Sequence, residues 1–82
     1  MPRIRTDELL DRVAKGDFKA IRLRAVSGGV FVMLLECDDG VFIHEHTNGN
    51  IKEYPKVDNA LSWLKRTTRV NEIIIDIAFW RD

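Results

Sequence analysis

Phe18 to Thr47 reads FKAIRLRAVSGGVFVMLLECDDGVFIHEHT, and this stretch decides the fold. From Ile21 the chain alternates. Ile21, Leu23 and Ala25 share one face, and Arg22 and Arg24 share the other, the period of a strand with one buried side. Ser27-Gly28-Gly29 reads as a turn. Val30 to Cys37 is apolar in both phases, with Phe31, Met33, Leu35 and Cys37 on one side and Val30, Val32 and Leu34 on the other. Such a strand belongs in the middle of a sheet. Asp38-Asp39-Gly40 is a hairpin turn. Val41 to Thr47 is the third strand, with Phe42, His44 and His46 in one phase.

Outward from this meander, Asn48-Gly49 is a strong turn signal, and Asn50 to Tyr54 reads as a short fourth strand closed by Pro55. Upstream, Thr6 reads as the N-cap of a helix with Asp7 and Glu8 in its first turn. Leu9, Leu10, Val13 and Ala14 form its apolar stripe, and Gly16 ends it. Residues 1–5 read as a loose arm. Downstream, Asp58 reads as the cap of a second helix that buries Ala60, Leu61 and Leu64, with Trp63 as an anchor on the sheet. A last strand falls within Val70 to Trp80, where Ile73, Ile75, Ile77 and Phe79 alternate.

The expected architecture is α+β: one two-layer domain over residues 1–82. A mostly antiparallel sheet of four or five strands carries two helices, in the order α-β-β-β-(β)-α-β. The succession of hairpin, YPKVDNALSWLKR helix and terminal strand resembles small bacterial α+β proteins in layout. That resemblance brings no site residues with it.

Composition narrows the function classes. The chain has 82 residues, 45% hydrophobic and 32% charged, which is the balance of a folded domain. Thirteen basic residues match thirteen acidic ones, so no global charge points to nucleic acid or membrane. A single cysteine, Cys37, excludes an internal disulfide and a cysteine-rich metal knuckle. The longest apolar run, Val30 to Leu35, is six residues, far short of the about 20 that span a bilayer. Met1 to Leu10 carries no signal-peptide pattern, so the expected compartment is the cytoplasm. No P-loop, GxGxxG, HExxH or CxxC occurs. No cofactor and no enzymatic activity are expected.

Three functions of different class follow. The first is a small interaction or regulatory module that pairs with a second copy or with another protein. Its support is the surplus of apolar strand positions: Val30, Val32, Leu34, Ile74 and Trp80 are the expected interface, unless one helix covers each sheet face. The second is a nucleic-acid-binding regulator. Its candidate contacts are Arg3 and Arg5 on the arm, Arg22 and Arg24 on a strand ridge, and Lys65, Arg66 and Arg69 after the second helix. The third rests on His44 and His46. At i and i+2 on a strand their Cα atoms lie about 6.5–7 Å apart, and a metal there would need further ligands such as Glu36 or Glu53. For the pair itself, solvation or a cross-strand carboxylate is the plainer expectation. Asp38 and Asp39 diverge from a tight turn, and Cys37 shares the phase of core residues, so neither reads as catalytic.

Overall fold

The computed structural model describes residues 1–80. The elements are β1 (Arg3–Arg5), α1 (Thr6–Lys15), β2 (Ala20–Val26), β3 (Val30–Cys37), β4 (Gly40–Glu45), β5 (Glu53–Tyr54), α2 (Val57–Thr67) and β6 (Ile74–Asp76). They form a two-layer α+β domain with one mixed sheet, ordered β1-β4-β3-β2-β6, with β5 also paired to β3. The inner pairs are antiparallel, and the two outer pairs, β1 with β4 and β2 with β6, are parallel.

The registers fix which side chains share a face. Ile21 faces Leu35, Leu23 faces Met33, and Ala25 faces Phe31. These residues join Ile4, Leu9, Cys37, Tyr54, Ala60 and Leu64 in one core, so both helices lie on the same side of the sheet. A helix on each face is thereby excluded. β4 follows β3 only from Leu34 to Cys37, and β5 then takes over that edge at Phe31 and Val32. β4 meanwhile turns outward to pair with β1. This handover explains why β5 is two residues long rather than five.

Three local expectations change. Arg3–Arg5, read as a loose arm, forms β1, because Ile4 lies opposite His44 and is buried in the core. Thr6 opens α1 but does not cap it, since its hydroxyl is engaged by His44. At α2 the boundary residue is Lys56, whose N–H donates to Asn59 Oδ1 at 3.1 Å, and Asp58 lies inside the first turn. The end of α1 follows the sequence closely. Gly16 adopts φ 70°, and its N–H donates to Val13 O at 3.1 Å while the Asp17 N–H donates to Arg12 O at 2.8 Å. A Cβ at Gly16 would meet nothing within 4 Å, so only backbone strain opposes Gly16→Ala. That substitution is expected to cost about 1 kcal/mol, read from the denaturant midpoint.

The last strand is shorter than the alternation suggests. Asp76 Oδ1 accepts from the Ala78 N–H at 3.1 Å, and the Trp80 N–H donates to Ile77 O at 3.0 Å. These bonds turn the chain, and β6 stops at Asp76. No helix among the described residues is long and apolar enough to cross a membrane.

Candidate functional site

On the face away from the helices, β3 contributes Val32, Leu34 and Glu36. Arg22 and Ile43 flank Leu34 in register, and Arg24 and Glu53 flank Val32. Arg22 Nε donates to Glu36 Oε2 at 2.8 Å, and Arg24 Nε to Asp76 Oδ2 at 3.3 Å. Glu45 lies 3.7 Å from Arg3 and 3.8 Å from Arg5. Arginine and glutamate stems beside this strip are long enough to lie along it. Leu34 is only 1% exposed and Val32 6%, with no helix on this face.

This arrangement bears on two sequence expectations. Val32 and Leu34 are not available as an open apolar surface, and Val30 is half-buried. The arginines of this face are also matched. Arg3, Arg5, Arg22 and Arg24 share it with Glu36, Glu45, Glu53 and Asp76, so it offers no surplus charge to a phosphate. Lys65, Arg66 and Arg69 lie at the end of α2 and beyond, in the helix layer. The basic clusters therefore do not converge on one surface.

The histidines separate as well. His44 is 2% exposed and His46 is exposed. His44 projects from β4 into the helix layer in the phase of Phe42, where α1 and β5 reach its ring. Its Nε2 lies 2.7 Å from Thr6 Oγ1, and its Nδ1 lies 3.4 Å from the Tyr54 hydroxyl. Trp63 of α2 packs on the ring with centroids 5.3 Å apart. Both hydroxyls can donate or accept, so a neutral imidazole is satisfied in either tautomer. Burial pushes the His44 pKa down to about 4, helped by Lys52 and His46. Burial likewise pushes the Tyr54 phenol up to about 12. With both ring nitrogens engaged, His44 is a structural cross-brace rather than a free ligand. Among the described residues no group of three or more His, Cys, Asp or Glu is placed to hold a metal ion. Cys37 is buried; burial raises its thiol pKa, although nearby Arg12 acts the other way.

The exposed apolar surface lies instead at the end of the sheet. Ile74, Ile75, Ile77, Phe79 and Trp80 run from 42% exposed at Ile74 to 72% at Phe79. Ile74 and Trp80 stand among the residues expected at an interface, whereas Ile75, Ile77 and Phe79 were read as an alternating strand. Ile75 lies opposite Leu23 on the helix side of the sheet, yet it is 43% exposed because β6 is the outermost strand. Ile77 and Trp80 meet Phe31, Pro55 and Val57 around an open hollow of about 390 Å³ beside the start of α2.

The two sheet edges are unlike. β1 reads Arg-Ile-Arg, with its one apolar side chain turned inward and charges outside. That is a protected edge. β6 reads Ile-Ile-Asp, pairs only with β2 among the described residues, and continues into exposed Ile77, Phe79 and Trp80. Compared with protein-family models, with curated proteins and with solved structures, the chain matches none.

Proposed function

We propose that this protein is a small non-enzymatic interaction module that forms a homodimer through β6 and the segment after it. One observation carries the reading: five large exposed apolar side chains lie in and just after β6, whose outer edge pairs with nothing among the described residues. An open strand edge offers backbone donors and acceptors to another strand, and apolar neighbours supply the area that holds it there. A second copy presents the same edge, so an isologous pairing needs no further partner. Within this reading Ile74, Ile75, Ile77 and Trp80 are the interface residues, and of the open sheet face only its rim at Ile74 takes part.

Sedimentation equilibrium across a wide concentration range tests the proposal. The expected result is a rise from the mass of one chain to that of two. A single-chain mass at every concentration would refute it. A short DNA duplex at low salt, added to parallel cells, tests the nucleic-acid reading, which now rests on Lys65, Arg66 and Arg69 alone. With the sheet face neutral and only these three basic residues left, no uptake of duplex is expected.

A further inference from the structure

A second surface lies on the helix side, between the C-terminal half of α1, the end of α2 and the segment leading to β6. It is a groove of about 1080 Å³, open to solvent. Leu10 and Val13 of α1, Phe18 and Ile21, and Val70 and Ile73 ahead of β6 supply its apolar lining, with Thr67, Thr68 and Asn71 among them. Of the apolar residues, all but Ile21 are half-buried side chains packed against the core, each with a part still uncovered. Lys19, Arg66 and Arg69 stand on the lining with one acidic residue, Glu72. Lys19 lies 3.2 Å from Asp38, but neither Arg66 nor Arg69 has a carboxylate within 4.0 Å among the described residues. The other arginines among the described residues are matched. Arg3, Arg5, Arg12, Arg22 and Arg24 each have an acidic neighbour.

We infer that this groove binds an amphipathic, acidic helix of a partner protein. The apolar lining calls for an apolar stripe, and the two unmatched guanidinium groups call for carboxylates beside it. A helix suits the site because it can lie beside α1, which supplies Leu10 and Val13, and the end of α2, which supplies Arg66 and Thr67, and helices pack side by side at about 8–10 Å. A small ligand would need an enclosed pocket that buries most of its surface, and this groove is open. The groove adjoins the dimer edge, since Ile74 lines it too, so one module would carry a self-association surface and a partner surface side by side.

The test uses a labelled amphipathic peptide of about 14 residues with a leucine stripe flanked by glutamates. Two controls accompany it: the same stripe flanked by lysines, and the glutamate peptide with its stripe scrambled. Fluorescence anisotropy is followed with the full chain. Saturable binding of the first peptide alone is expected, with amide shifts confined to residues 10–21 and 66–74. The double variant R66E/R69E should weaken it about tenfold or more, and added salt should weaken it too. Both positions are exposed, and unchanged denaturant midpoints would show that the variant folds. Equal binding of the lysine peptide, no effect of R66E/R69E, shifts centred on residues 75–80, or no binding at all would overturn the proposal. So would preferential binding of a short duplex or of dodecanoate at the same residues, which would assign the groove to nucleic acid or to a lipid. Because the readout is peptide binding rather than mass, it stands whether or not the chain dimerises.

Discussion

Acidification from pH 7 to pH 4 is expected to remove about 3 kcal/mol of folding stability through His44 alone. The native imidazole titrates at about 4, against 6.5 when free. Between those values the unfolded chain holds a proton at this ring and the native chain does not. Stability therefore rises with pH across the window and falls as the solution is acidified. At about 1.4 kcal/mol per pH unit through most of that window, the change is a large fraction of the stability of a small domain. The carboxylates Asp39 and Asp76 are held below 3.8 by Arg12 and by the Ala78 N–H respectively, so their contribution is lost lower on the scale. The two windows can thus be separated. Guanidinium unfolding at half-unit pH steps gives the slope directly. His44→Gln keeps a donor and an acceptor toward Thr6 and Tyr54 but cannot titrate. It should cost about 1–3 kcal/mol at pH 7 and flatten the curve between pH 6.5 and 4. A variant curve as steep as the wild type would show that another group carries the effect.

The burial of His44 corrects the sequence reading, in which the histidine pair is solvated or held by a cross-strand carboxylate. Only its shared phase with Phe42 is legible in the chain. What could not be read was the set of partners, since Thr6 lies 38 residues away and Tyr54 ten. The order of elements emerged more fully because it depends on neighbours in sequence. Period-two alternation, Gly28-Gly29, Asp38-Asp39-Gly40 and Asn48-Gly49 are each local signals. The failures come from pairings set across the sheet. Arg3–Arg5 is too short to show a strand period, and it becomes one only because β4 leaves β3 and exposes an edge. Val32 and Leu34 looked like an open patch because the ion pairs beside them are long-range. Arg22 and Glu36 are 14 residues apart, and Arg24 and Asp76 are 52. A strand apolar in both phases can be satisfied by charged side chains with long stems as well as by a second layer. On this chain the run of exposed apolar residues accordingly lies along the edge strand and the segment after it rather than at Val32 and Leu34.

Charging that edge is expected to weaken self-association about a hundredfold, the second large effect. Ile74→Glu is the most informative change. Ile74 lies opposite Arg22 on the open face, so the new carboxylate gains a basic neighbour within the chain and the folded monomer is spared. At a two-fold interface the same substitution enters twice, once from each copy. Losing the burial of two isoleucine side chains and crowding two carboxylates along one edge costs about 3 kcal/mol, equivalent to about a hundredfold in the dissociation constant. Ile77→Lys should act similarly with the opposite charge, which separates a loss of apolar contact from a fortuitous ion pair. Arg3→Ala supplies the control at the other edge. β1 is already protected by its arginines and has no part in the interface, so the dimer should persist. Sedimentation equilibrium of the four proteins gives the constants, and denaturant midpoints establish that each is folded. Unchanged association in both Ile74→Glu and Ile77→Lys would place the contact elsewhere. Loss of the dimer in Arg3→Ala with retention in the other two would assign it to β1 and reverse the reading of the two edges.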